Sequence, residues 1–173
     1  MEALPCRVSR IITTEHVFPN NLNNHQTLFG GHIVAQMDMA ASISATRHAR
    51  KLCVTASIDH VDFLGPVTEV DYISYESFVV LTGKTSLIVF VKAVAENLFS
   101  GDRRIAATSF LTFVALENGK PVPVPAVLPE TEEELALHHL AKKRKEKIGD
   151  KIEQSKVLAR ILTSERKAPT DLI

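Results

Sequence analysis

The chain has 173 residues, 45% of them apolar and 23% charged, a profile that fits one soluble domain with a real core and needs no second one. Twenty basic and twenty acidic side chains give zero formal net charge, which removes the main electrostatic argument for binding nucleic acid. The two cysteines, Cys6 and Cys53, have neither Cys-x-x-Cys nor metal-ligand spacing and suit a reducing cytoplasm; the N-terminal MEALPCRVSR lacks a signal peptide's apolar segment, and no stretch reaches membrane-span length.

In chain order, Arg7 to Phe18 is rich in β-branched residues and predicts a first strand, ending at Pro19. The loop that follows carries Asn20, Asn21, Asn23 and Asn24, residue types that by default serve turn chemistry. From Gly30 to about Ala49 the sequence predicts a helix. Its residues are almost all apolar or small to Thr46, the pattern of a helix enclosed by the rest of its protein.

Asp38 is the one formal charge in that run. At helical spacing its neighbours are Val34, Ala35, Ala41 and Ser42, so the carboxylate projects among small and apolar side chains. Carboxylates are expensive to bury, and one placed here points to either a structural partner or a general base or nucleophile lining a cleft. Gly30 and Gly31 favour the second reading. Paired glycines at a helix start admit another molecule close to the backbone, where free amides can bind a carbonyl oxygen.

Val54–Phe63, Val70–Leu81, Thr85–Ala95 and Arg103–Leu116 read as strands joined by short links, which makes them antiparallel neighbours. The predicted class is α+β: a sheet wrapped around one helix, its other face wetter. The proline-rich 121–129 segment, PVPVPAVLP, is extended, cannot be a central strand, and is expected to lead away from the sheet. Thr131 with Glu134 has capping-box spacing, and two amphipathic helical segments are expected after it. The KKRKEK run at 142–147 reads as a solvated helix face. No P-loop, dinucleotide fingerprint, Gly-x-Ser-x-Gly elbow or metal-ligand spacing among the seven histidines occurs, so neither a cofactor nor a metal is expected.

The run from Asn23 through LFGGHIVAQMD resembles the hotdog-fold acyl-CoA thioesterases, and within them the acyl-CoA hydrolases with a catalytic aspartate in the central helix. VTASIDHVDFLGPV (54–67), GKTSLIV (83–89) and PVPVPAVLPETEEE (121–134) match in the same order, so the resemblance spans roughly residues 7–134. It implies a hotdog fold over 1–129 with a C-terminal helical extension over 130–173, homo-oligomers that are dimers or hexamers, and hydrolysis of acyl-CoA to a fatty acid and CoA without a cofactor. Residue by residue it makes Asp38 the catalytic acid, Asn23 the polar residue before it, and Gly30 and Gly31 the helix start that polarises the thioester. Thr55 would border the cleft, and Ser86, Arg103 and Thr85 would lie near CoA. A non-catalytic acyl-CoA sensor on the same fold is the rival reading; a hotdog dehydratase is a weaker one, lacking a histidine. Geometry adds a constraint: Gly30 and Asp38 are about 12 Å apart along one helix, too far to share a thioester, so two facing helices of a dimer would build each site.

Overall fold

The computed structural model describes residues 1–164, without the side chains of residues 147–152 and 164. The strands are β1 (Leu4–Pro5), β2 (Ile11–His16), β3 (Leu52–Phe63), β4 (Asp71–Thr82), β5 (Ser86–Asn97), β6 (Arg103–Glu117), β7 (Lys120–Pro121) and β8 (Val127–Leu128); the helices are α1 (Gly30–Ala49) and α2 (Glu132–Ser164). The main sheet runs β2-β4-β5-β6-β3, antiparallel throughout, with β7 paired to β6, while β1 and β8 form a separate parallel pair.

The two-residue period of the strands sorts their side chains onto two cores. Leu87, Val89 and Val91 of β5, with Ile73, Tyr75 and Phe113, face α1, which buries Ile33, Met37, Ala40, Ala41 and Ala45 at helical spacing. Ile88 and Phe90, with Phe78 and Phe110, form a second core with Ala141 and Leu137 of α2. Truncating a fully buried residue such as Met37 to alanine would cost about 2–5 kcal/mol. Ser44 and Ser77 lock α1 to β4 through a buried bond of 2.7 Å between their hydroxyls.

Four expectations are corrected here. The outer face of the sheet is not the wetter one, because α2 lies on it, held by Glu134 to Arg10 (3.0 Å), Lys92 to Glu133 (3.3 Å) and Arg144 to Asp59 (2.9 Å). The C-terminal segment is one helix, not two; its start does carry the predicted reciprocal cap, with Glu134 N–H donating to Thr131 Oγ1 at 3.2 Å and Thr131 N–H to Glu134 Oε2 at 3.3 Å. Residues 165–173 of the expected extension lie outside the described residues. The proline-rich segment does not leave the sheet. It straps its end: Val122 N–H donates to Ala115 O, Val124 N–H to Lys84 O, and His48 Nε2 bonds Pro125 O. Finally, α1 is not enclosed on every side in the single chain. Gly31, Ala35, Met39, Ile43 and Thr46 form an exposed stripe, and alongside it β3, an edge strand, has no fully buried residue.

Candidate active site

Asp38 sits on the border of that stripe, half-buried, and Thr55 Oγ1 of β3 donates a 2.8 Å hydrogen bond to its Oδ1. A hydroxyl from the facing edge strand therefore fixes the carboxylate while its second oxygen stays available to a water or a substrate. Thr55 pairs in register with Phe113 of β6, and the ladder skips a residue between Thr55 and Ser57, an irregularity of the kind that re-aims side chains.

The start of α1 builds a different group. Phe29 has extended backbone angles and offers no side-chain cap, so the amides of Gly30 and Gly31 have no acceptor among the described residues. Gly30 lines a cleft of about 430 Å³ together with Asn23, Leu28, Ile33, Phe63 and Val67. The missing side chains matter: a methyl at Gly30 would lie 3.3 Å from the Phe63 ring, and one at Gly31 would collide with the Phe29 ring. Asn23 is oriented by its own loop. Its Oδ1 accepts from His25 N–H at 2.9 Å and Thr27 N–H at 3.3 Å, and its Nδ2 donates to Thr27 Oγ1 at 3.0 Å.

Two carboxylates, Asp71 buried and Glu15 half-buried, brace the elements around this cleft. Asp71, at the start of β4, accepts from Arg104 (2.6 and 3.0 Å), Thr68 N–H (2.7 Å) and Thr68 Oγ1 (2.9 Å), and Arg104 also donates to Pro66 O at 2.8 Å. Burial alone would raise the Asp71 carboxyl, but Arg104 and Thr68 outweigh it and hold it below the usual carboxylate range. The result pins the 64–71 loop, which forms one wall of the cleft. Near the helix start, Glu15 Oε1 accepts from Tyr75 Oη and meets His32 Nε2, both at 2.9 Å. Burial, reinforced by the Glu15 charge, pushes the Tyr75 hydroxyl far up, so it stays a donor.

One chain thus brings Asp38 together with Thr55, and Asn23 together with Gly30, as two half-sites. Ser86, Thr85 and Arg103 join neither. Ser86 opens β5, where its carbonyl accepts from Gly83 N–H at 2.8 Å across the β4–β5 turn, and the carbonyl of Thr85 before it accepts from Ala115 N–H at 3.0 Å. Arg103 is exposed and paired with Glu96 at 2.6 Å. It stands ten residues before Phe113 on β6, about 33 Å of strand from the Thr55 row. Phe63, Arg104 and Asp71 were missed by sequence reasoning; Phe63 and the glycine of FLGPV lie within the matched stretch, but nothing in the sequence shows that their loop folds against Gly30.

The Thioesterase superfamily pattern matches residues 25–98. The uncharacterised acyl-CoA thioester hydrolase YkhA of Bacillus subtilis is 50% identical over 162 residues, 93% of this chain and 94% of that protein. Among solved structures, an acyl-CoA hydrolase from Bacillus cereus superimposes with a TM-score of 0.91 at 55% identity, covering 92% of this chain and 98% of its own. The Staphylococcus aureus acyl-CoA hydrolase in complex with butyryl-CoA, CoA and CoA disulfide gives 0.88 at 37% identity, with 92% and 98% covered. With a helix cradled in a curled antiparallel sheet, and with relatives matching over nearly its whole length, this chain belongs to the hotdog-fold acyl-CoA hydrolases of the thioesterase superfamily.

Proposed function

We propose that the protein hydrolyses acyl-CoA to a carboxylic acid and CoA at two equivalent sites, each built from two chains. The observation that carries this is the separation of the half-sites. An acid with a free oxygen and a helix start with free amides share one exposed face, yet stand about 12 Å apart along α1. A hydrogen bond spans about 3 Å. A two-fold axis that places the exposed stripes of α1 face to face brings the Asp38 of one chain to the Gly30 of the other, and covers the apolar stripe and the open β3 edge in doing so.

In that site the thioester oxygen takes the Gly30 or Gly31 amide, supported by the positive end of the helix. Asp38, held by Thr55, acts as general base on water, with direct carboxylate attack through an anhydride as the competing route. Asn23 orients the water or the substrate. The acyl chain enters the cleft walled by Leu28, Ile33, Phe63 and Val67. CoA departs as a thiolate and needs no strong acid. Ser86, Thr85 and Arg103 are proposed CoA-proximal residues from the resemblance; given its distance along β6, Arg103 would serve the site of another chain.

Variants of the Staphylococcus aureus hydrolase with alanine in place of one asparagine, one aspartate and one threonine support the choice of residues. Those positions are spaced by fifteen and seventeen residues, as Asn23, Asp38 and Thr55 are. A solved acyl-CoA thioesterase that is hexameric, 42% identical to this chain with a TM-score of 0.85, supports assembly as a trimer of dimers. We place residues 1–129 as the catalytic unit and 130–173 as a C-terminal extension, whose helix packs Leu137 and Ala141 against the sheet. No helix among the described residues is long and apolar enough to cross a membrane. The free thiols of Cys6 and Cys53 suit the cytosol, the compartment named for mammalian relatives.

The test is release of free thiol from a panel of acyl-CoAs of increasing chain length. Turnover on at least one member supports the proposal; none on any member, from an assembled and folded protein, overturns it.

A further inference from the structure

Helices are ordinarily closed at their start by a Ser, Thr, Asp or Asn that accepts from the second or third amide, and by acidic residues in the first turn. Helix α1 has neither. Phe29 stands at the cap position with no side-chain bond, and no acidic residue follows in the first turn. The reason lies in the site. A capping oxygen would take a first-turn amide such as that of Gly31, which the proposed mechanism reserves for the thioester, and a side chain at either glycine would press on the Phe63 or Phe29 ring. Free amides thus leave the helix without its usual fastening, and two successive glycines loosen its first turn further.

The fastening comes from the side. His32 is the third residue of α1 and the first to carry a side chain. Its amide donates to the Phe29 carbonyl at 2.9 Å, and its Nε2 lies 2.9 Å from Glu15 Oε1 on β2. An ionised carboxylate only accepts, so the imidazole is the donor. β2 is the edge of the sheet opposite β3, and this contact therefore ties α1 to the edge away from the one that holds Asp38.

Glu15 is itself fixed. Its Oε1 also accepts from Tyr75 Oη at 2.9 Å, and Tyr75 is fully buried in the core that faces α1, where burial keeps its hydroxyl protonated. Thr13, two residues before Glu15, pairs with Tyr75 across β2 and β4, so Glu15 and Tyr75 project from the same face of the sheet. A buried donor, a carboxylate and an imidazole form one row that ends on the first turn of the helix. It sets a negative group near the positive end of α1 while the Gly30 and Gly31 amides keep no acceptor among the described residues.

We propose that His32 and Glu15 are positioning residues for hydrolysis: their bond, braced by Tyr75, holds the first turn of α1 so that the Gly30 and Gly31 amides are aimed at the thioester oxygen. The proposal rests on the reading of that helix start as the oxyanion site. Both residues act through the backbone and stand outside the two half-sites. Negative charge on the thioester oxygen is larger in the transition state than in the bound substrate, so lost aim shows in kcat rather than in binding.

Thiol release and calorimetric CoA binding test this on His32→Ala, His32→Gln, Glu15→Ala and the His32→Ala/Glu15→Ala double variant. His32→Ala is expected to lower kcat about tenfold, the size of one hydrogen bond, with KM, CoA affinity and oligomeric state unchanged. His32→Gln, whose amide nitrogen reaches where Nε2 stands, should recover most of that loss. The double variant should be no worse than Glu15→Ala, because both changes remove the same bond. Tyr75→Phe, which keeps the ring in the core, should lower kcat by a smaller factor. Hydrogen exchange gives a readout that needs no turnover: the Ile33 amide, bonded to Phe29 O at 3.3 Å, should exchange faster in His32→Ala and return to the wild-type rate in His32→Gln. Wild-type kcat in His32→Ala, no recovery in His32→Gln, additive losses in the double variant, or a raised KM in place of a lowered kcat would overturn the proposal. A wild type that turns over no acyl-CoA would remove the hydrolase reading and the kinetic role with it; faster Ile33 exchange in His32→Ala would still uphold the fastening, and unchanged exchange would overturn it.

Discussion

Thr55 Oγ1 donates to Asp38 Oδ1 at 2.8 Å, tying the acid of the central helix to the edge strand that faces it. This bond fixes which carboxylate oxygen points at the reaction. Asp38→Asn should therefore abolish most turnover, about a hundredfold to ten-thousandfold, while CoA still binds. Thr55→Val should lower kcat by a smaller factor and Thr55→Ser should restore it. Wild-type kcat in Asp38→Asn, measured by thiol release, would make the carboxylate structural.

The two half-sites can be tested against each other. Homodimers of Asn23→Ala and of Asp38→Asn should both be impaired, whereas a mixed dimer holds one intact site and one doubly defective site. Random reassortment makes about half the dimers mixed, so activity should recover to about a quarter of wild type. Tagged co-expression shows whether mixed dimers formed. Verified mixed dimers with only the mean activity of the two parents would place Asn23 and Asp38 in the same chain's site.

Asp71→Asn should destabilise the fold by roughly 3 kcal/mol at neutral pH, since it leaves Arg104 and the 64–71 loop without their shared acceptor. The Asp71 carboxyl lies below its ordinary value in the folded chain, so its contribution is present above the unfolded carboxylate range and is lost as pH falls through the lower folded value. Urea titrations at pH 7 and pH 3 should show the gap between wild type and Asp71→Asn shrinking in acid. A gap that stayed constant would mean the carboxylate is not ionised in the folded chain.

His48 has the opposite chemistry and the same direction. It is fully buried at the end of α1, bonded through Nε2 to Pro125 O at 3.1 Å, with no partner for Nδ1 among the described residues. Burial lowers its pKa, against the smaller raising effect of the Pro125 carbonyl. The unfolded chain then takes up the proton first, so the stability associated with neutral His48 is full above about pH 6.5 and declines as pH drops below it. His48→Gln should flatten the change in melting temperature between pH 7 and pH 5 relative to wild type. An identical slope in both proteins would exclude His48 as its source.

Much of this architecture is legible in the residues. The glycine pair and the run of small side chains mark α1 from Gly30 to Ala49, and turn residues mark the strand ends to within a few positions. The Thr131–Glu134 cap forms as its spacing predicts. The proline strap was misplaced because prolines state that a segment has no place in a ladder but not where it runs; Val124 and the Pro125 carbonyl are drawn back by the core and by His48. The two amphipathic segments expected after Thr131 form one helix: Gly149 between them costs only about 1 kcal/mol in a helix interior, and α2 continues through it. At the site, Asp38 was legible because a lone charge in an apolar helix needs a reason. Arg104 was not, since alternation along β6 sends it and its neighbour Arg103 to opposite sides, one into a buried pair and one into solvent.

The twelve-residue edge of β3 has a further consequence, at the moment the chain is made. Before it meets a second copy, a newly folded chain presents a strand paired on one side only, with Val54 and Ile58 exposed, beside the Met39 and Ile43 of α1. Such an edge will pair with whatever strand reaches it first. Correct assembly is then a race whose productive branch depends on the local concentration of identical chains, so slow synthesis or strong dilution favours capture by chaperones and loss to aggregates over the appearance of activity.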